Sequence, residues 1–421
     1  MLFNFIKKHA FFGFIFTVAK ATVYFVPLLL ADVLSGEDFG VLEYALAGLG
    51  MIVNTIINLG VPGAYPYFLL REKKEYLQPV FRFHAIILLV PFVINQILYV
   101  GFNLDVNFYL AFNISFIIAN QVLYSTQLKS HEKSIVAVIL DSGIYLILFL
   151  FFILSQFGFI VVNIRSINIC ILVYSLFYII LGVYKFLKHR HTIKLKYYRE
   201  ILNFSIHLLI ATFLIFLITT SGRILVEIFF DFTTVGVYAF YFRLAAIVVM
   251  IHQVINIAFF KKIYTFDPKI LDKYYYIFFI FIYVLSVLIF ILAPYIVTHF
   301  SEYFNETYTN NKDIYFLLSA QMVMWIASAL NSNIVDRENL ASQNNLKFLV
   351  LVVLSSILLI LFKDKITLPL LTYFHFTIIF VACMIQYYSL YTKNIRFSRS
   401  WKALSSIYLL TTFIFIYCFN D

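Results

Sequence analysis

The chain has 421 residues, of which 63% are hydrophobic and 12% charged, with a net charge of +10. Soluble domains carry roughly 25% charged residues, and no soluble fold of this length hides so much apolar side chain. The composition excludes a soluble enzyme and points to an all-α, polytopic membrane protein.

Apolar runs of about 18 residues or more read as membrane-crossing helices. In chain order, hydropathy places spans at 10–31, 39–60, 80–101, 107–127, 134–156, 159–184, 201–222, 233–257, 274–299, 314–335, 346–362 and 366–391. A thirteenth candidate follows at 402–419. The opening "MLFNFIKKHAFFGFIF" is basic and then apolar, as in a signal peptide. It lacks a small-residue cleavage site and stays apolar to Leu30, so it reads as a retained first helix. Connections are short, with no Gly/Ser linker and no soluble insertion.

Lysine and arginine set the orientation. With the N-terminus cytoplasmic, the inner segments hold 24 of the 31 basic residues, including Lys7, Lys8, Lys129, Lys261, Lys262 and the stretch "KFLKHRHTIKLKYYR" at 185–199. The outer segments hold five: Arg165, Arg223, Lys312, Lys363 and Lys365. The positive charge is thus topological, and no nucleic-acid partner is expected.

Two basic residues remain, Lys20 and Arg243, each near the middle of its span. A charge at the bilayer centre costs roughly 2.5–3.5 kcal/mol on insertion scales. Two readings stand for them: structural ion pairs between helices, or a cationic cavity for an anionic ligand. Glu43 and Asp141 are embedded acids; either takes up a coupling proton or Na⁺, or Asp141 only neutralises Lys20.

Shifting the sequence by 196 residues lays "FGVLEYALAGLGMI" (39–52) on "VGVYAFYFRLAAIV" (235–248). Six spans separate the copies, so the repeats share an orientation and their pseudo-twofold axis runs along the membrane normal. The expected domains are an N-terminal lobe of six spans (1–190), a C-terminal lobe of six (191–395) and an extra span (396–421). Small or polar stripes mark several spans at helical spacing. The second carries Gly40, Glu43, Ala47, Gly50 and Asn54; the eighth carries Gly236, Ala239, Arg243 and Ala246. The first carries Gly13, Thr17, Lys20, Tyr24 and Pro27, and the fourth Asn113, Asn120, Tyr124 and Gln127. The tenth carries Gln321, Trp325, Ser328 and Asn331. Glycine and alanine stripes also serve close helix packing. With the amides and charges added, the stripes outline a hydrophilic route; Lys20, Arg243, Asn54, Asn120 and Gln127 are the candidate substrate-binding residues.

"LSGEDFGVLEYALAGLGMIVNTIINLGVPGAY" (34–65) resembles the first signature of bacterial polysaccharide exporters, and "GRILVEIFFDFTTVGVYAFYFRLA" (222–245) resembles its second-half counterpart. The family is the O-antigen and capsule flippases of the multidrug/oligosaccharidyl-lipid/polysaccharide exporter superfamily. The resemblance covers nearly the whole chain. Gly222 stands where many members carry an acid before the arginine. The resemblance implies movement of an undecaprenyl-pyrophosphate-linked oligosaccharide from the cytoplasmic to the periplasmic leaflet of the inner membrane. It implies no enzyme activity and no cofactor, and its partners would be the lipid-linked glycan, membrane lipids, and the polysaccharide polymerase and chain-length proteins.

Other readings compete. A drug/cation antiporter of the same superfamily would favour buried carboxylates over buried cations. A glycan polymerase or ligase would carry a large outer loop with arginines or histidines, and the segment 299–313 has no arginine. A major-facilitator transporter would show a G-x-x-x-D-[RK] loop after its second span, which "LGVPGAYPYFLLREKK" lacks. His84, His207, His252 and His375 form no H-x-x-x-H set, so no metal is expected. Cys170, Cys383 and Cys418 sit singly in apolar runs, as packing residues.

Overall fold

The computed structural model describes residues 2–189, 194–253, 266–338 and 340–419. Arg190, Lys261, Lys262 and the last residues of the eighth predicted span, 254–257, lie outside the described residues. Twelve described helices are long and apolar enough to cross a membrane, and a bent pair makes up to thirteen. The chain is an all-α, multi-pass membrane protein.

It divides into two compact units, residues up to Phe213 and residues from Leu214. The helices of the first are α1 (Leu2–Ala31), α2 (Gly36–Ala47), α3 (Leu49–Ile57), α4 (Val61–Pro66), α5 (Gln78–Ile87) and α6 (Leu89–Phe102), followed by α7 (Val106–Ser130), α8 (Ser134–Asp141), α9 (Gly143–Gln156) and α10 (Ile164–His189). The division falls inside α11 (Leu195–Thr219), later than the boundary at 190 expected from the repeat. Burial explains the shift: Tyr198 and Ile201 of α11 close a cluster with Val61, Tyr65, Phe68 and Phe81, so this half of the helix belongs to the first unit.

The second unit contains α12 (Gly222–Phe229), α13 (Phe232–Ala245), α14 (Pro268–Ile296), α15 (Glu302–Thr307), α16 (Lys312–Arg337), α17 (Ala341–Leu361), α18 (Leu368–Tyr391) and α19 (Ser398–Phe419). The last helix is integral to it. Phe415 packs with Phe316 and Leu317, and the Thr411 and Tyr283 hydroxyls lie 3.2 Å apart.

The helix starts follow local chemistry. Asp105, Asp231 and Asp267 each accept a hydrogen bond from a backbone N–H two or three residues on, at 2.7–2.8 Å. This satisfies amides that the first helical turn leaves free. Asn103 (φ 52°) and Asn394 (φ 60°) supply the left-handed turns that leave α6 and open the α18–α19 connection, a conformation asparagine tolerates better than most residues.

Helices α7 and α16 are the least apolar spans, with mean hydropathy 1.4 each, yet 67% and 83% of their apolar windows are buried. In lipid the apolar faces point outward, and polar positions are retained where other helices cover them. Each unit is therefore packed around a central polar helix: α7 touches α2, α3, α4, α6, α8 and α10, and α16 touches α13, α14, α18 and α19.

Candidate functional site

The apolar run 134–156, expected as one straight span, is broken. Helices α8 and α9 meet at a bend of 62° across Ser142. Sharp bends need an identifiable cause, and serine–glycine pairs are a common one. Ser142 adopts φ −95°, ψ 2° and leaves the helix, and Gly143 begins α9. A Cβ at Gly143 would lie 2.3 Å from the Tyr174 hydroxyl and 3.0 Å from Gln121 Nε2. Only glycine leaves room for both groups.

The break puts the Asp141 carboxylate at the C-terminal end of α8, where the helix dipole disfavours an anion. Two cations and a hydroxyl compensate. Lys20 Nζ from α1 donates to Oδ2 at 3.0 Å, Lys129 Nζ from α7 lies 3.8 Å from Oδ2, and Ser125 Oγ lies 3.5 Å from Oδ1. The Lys20 and Asp141 side chains are 17% and 26% exposed, so the pair is neither dry nor free in solvent. Phe16 and Ala19 of α1 pack on Val138 of α8 and hold the two helices in register. Of the first-span stripe, Lys20, Tyr24 and Pro27 turn inward, while Gly13 and Thr17 are exposed.

The predicted stripe lies on another face of α7 from Ser125 and Lys129, turned toward α10. Asn120, Tyr124 and Gln127 are 1%, 2% and 9% exposed. The Asn120 amide donates to its own helix at Phe116 O, 2.9 Å away, and its Oδ1 has no partner among the described residues. The Tyr124 hydroxyl and Gln127 Nε2 also have none. Buried polar atoms are nearly always bonded to protein or water, so three on one helix face form a surface that favours water or polar cargo. Aromatic hydroxyls continue it. Tyr178 stacks on Tyr124 at 6.3 Å, its hydroxyl lies 3.0 Å from that of Tyr174, and Gln121 Nε2 donates to Tyr174 at 3.4 Å. Lys185 Nζ sits 3.9 Å over the Tyr124 ring, a favourable cation–π placement.

Other predicted residues lie close by in the chain's packing. Glu43 on α2 is fully buried, and Asn54 on α3 accepts from Asn58 Nδ2 at 2.6 Å; both helices pack on α7. The second span, read as one continuous helix, is interrupted at Gly48 between α2 and α3. At Gly50 a Cβ would meet the Ala45 carbonyl at 1.8 Å, while Ser115 Oγ of α7 donates to the Gly50 carbonyl at 3.0 Å.

Arg243 belongs to the second unit, 5% exposed in the last turn of α13. A cation there complements the helix C-terminus, and the backbone beyond tightens into a 3₁₀ turn at Ala246–Val248. Arg223, assigned by hydropathy to an outer connection, is 2% exposed, with its guanidinium 4.6 Å over the Phe242 ring. Its neighbour Gly222 is required sterically: a Cβ there would lie 2.1 Å from the Tyr238 hydroxyl. His375 bridges Gln321 Nε2 (3.4 Å) and the Ile218 carbonyl (3.1 Å) in the same unit.

Asp272, which sequence reading passed over, is 6% exposed near the start of α14. Its carboxylate accepts from the Arg399 N–H (3.0 Å), the Ser400 N–H (2.8 Å) and Ser400 Oγ (2.7 Å), so it caps α19 from another helix. An acid only a few residues before the hydropathic start of a span was the available signal; its partner, 128 positions on, was not readable.

Comparison of the chain with family models, with curated proteins and with solved structures finds no match. Twelve apolar helices of crossing length among the described residues identify it as a multi-pass membrane protein.

Proposed function

We propose that the chain is a flippase for polyprenyl-pyrophosphate-linked oligosaccharides, acting in a bacterial inner membrane with its N-terminus cytoplasmic. The observation that carries this reading is the partly exposed Lys20–Asp141 pair at the broken α8–α9 helix; α7, which brings Ser125 and Lys129 to that pair, carries unsatisfied polar atoms on another face. A pyrophosphate needs positive charge inside the membrane, and a partly exposed lysine held by one carboxylate can exchange that carboxylate for a phosphate oxygen. Lys129 remains beside Asp141 when Lys20 leaves it. Amides and tyrosine hydroxyls with open hydrogen-bonding capacity suit a glycan. Arg243 supplies a second cation, with the planar fork that fits phosphate.

The test uses cells lacking the protein. Polyprenyl-linked oligosaccharide should accumulate, and the intact chain should clear it while well-expressed Lys20→Ala and Arg243→Ala chains do not. An unchanged lipid-linked pool together with unchanged surface glycan would sink the flippase and favour a drug/cation antiporter. Buried Glu43 and half-buried Asp141 would then be read as coupling acids.

A further inference from the structure

The α18–α19 corner holds a pocket of about 380 Å³ that the transport reading does not use. Its walls include Tyr387, Tyr388, Tyr391, Phe397, Arg396 and Trp401. The corner is built to stay in place. Asn394 takes the left-handed turn, the Ile395 N–H bonds the Leu390 carbonyl at 3.1 Å, and Phe397 stacks on Tyr275 at 5.9 Å. Asp272 fixes the first turn of α19, so the N–H groups of Arg399 and Ser400 are already taken. What faces the pocket is side-chain chemistry.

That chemistry is cationic and amphipathic. Lys393, Arg396, Arg399 and Lys402 are all exposed, and residues 391–404 contain no acid. The Arg396 guanidinium lies 5.7 Å from the Tyr391 ring. Lys347 of α17 adds charge: its Nζ donates to Ser389 Oγ at 2.6 Å and lies 5.0 Å over the Tyr388 ring. Trp401 is 42% exposed and Tyr388 62%. Tryptophan and tyrosine sit at headgroup depth because one part of the ring is apolar and the other polar. Further along α19, Leu409, Leu410 and Phe413 stay exposed, an apolar face continuous with the helix that frames the pocket.

We propose that this pocket binds the phosphate headgroup of an anionic glycerophospholipid, with Arg396 of its wall as the principal cation, exposed Lys402 next to Trp401 in the chain adding charge, and the acyl chains lying along the exposed face of α19. An anionic headgroup accounts for the acid-free run of exposed basic residues, the aromatic rim and the adjoining apolar face together. A soluble phosphate would leave the last two unused. The proposal does not depend on what the protein transports.

Trp401 is one of two tryptophans, the other being Trp325, so a Trp325→Phe chain reports on the pocket alone. The full chain is placed in phosphatidylcholine nanodiscs containing increasing brominated phosphatidylglycerol, with brominated phosphatidylcholine as the comparison. Trp401 should be quenched at several-fold lower mole fraction of the anionic lipid. Arg396→Gln and Lys402→Gln should each weaken that preference about fivefold. Equal quenching by the two lipids would overturn the proposal, as would a preference that survives both substitutions. Inorganic phosphate at millimolar concentration should leave the quenching unchanged. Relief by phosphate would assign the pocket to a soluble anion instead. A Trp401→Phe chain retaining Trp325 should show no lipid preference; a preference there would trace the effect to bulk membrane charge and overturn the site.

Discussion

Asp141 and Asp272 are both carboxylates inside a membrane protein, and the two are held in opposite ways. Asp272 is 6% exposed and bonded to a hydroxyl and two backbone amides of α19, and the amides cannot move without unwinding that helix. Asp141 is 26% exposed and held by the ends of two lysine side chains and a distant serine hydroxyl, all of which can swing away. Acceptors fixed to backbone make a joint, and acceptors fixed to long flexible cations make an exchangeable contact. The difference separates a residue that builds the second unit from one whose partners in the first can be exchanged.

The largest effect should come from Asp272→Ala. Removing it strands the Arg399 and Ser400 amides of α19, while the Ser400 hydroxyl keeps the Asp272 backbone carbonyl at 3.1 Å, a cost of about 2–3 kcal/mol. We expect a sharp fall in folded yield and in the detergent melting temperature, with Asp272→Asn in between. A melting temperature unchanged by Asp272→Ala would erase the contrast. Next is Gly143→Ala, whose new methyl would collide with the Tyr174 hydroxyl. Overpacking of this kind costs about 1–3 kcal/mol. Tyr174→Phe in the same chain should recover part of the loss, and no recovery would mean that the hydroxyl does not set the bend.

Lys20→Met and Asp141→Asn should be milder on stability, about 1 kcal/mol or less for a partly exposed pair, yet each should leave lipid-linked oligosaccharide uncleared. A double-mutant cycle read by melting temperature sharpens the point. If Lys20→Met destabilises as much as Asp272→Ala, the pair is a joint after all.

The smallest effect belongs to Asp231, the exposed cap of α13. The Thr234 backbone N–H, and then the Thr234 hydroxyl, hold its carboxyl below the usual aspartate range. Its contribution is therefore complete above the ordinary aspartate pKa and is lost as pH falls through the depressed value. Asp231→Ala should cost about 1 kcal/mol at neutral pH and flatten the acid side of the stability profile. An acid limb identical in the variant would count against the cap.

Hydropathy located every described span, because a lipid-facing helix must be apolar over its crossing length and that property is local. Direction is not local. The run 134–156 reads as one span since its apolar content is continuous, although "DSG" at 141–143 was a visible breaker within it. Arg223 was assigned to a loop because it lies one residue past the hydropathic span 201–222, whereas its place against Phe242 depends on tertiary packing. Lys20 and Asp141 were each legible as misfit charges. Their 3.0 Å approach across 121 residues was only one of two open readings of Asp141, since spacing along the chain says nothing about which helices adjoin.

The bend at Ser142 also fixes a parity. If α8 and α9 together cross the membrane, the chain makes thirteen crossings and its two ends emerge on opposite faces. If they turn back, it makes twelve, the ends share a face, and every connection after Gln156 changes side. In that case the basic stretch at 185–199 would lie across the membrane from Lys129 and Lys133, which the positive-charge rule disfavours. Cys418 is exposed one residue before the end of α19, while Cys383 is buried and Cys170 partly so. A membrane-impermeant maleimide applied from one face at a time thus turns a single kinked serine into a count of crossings.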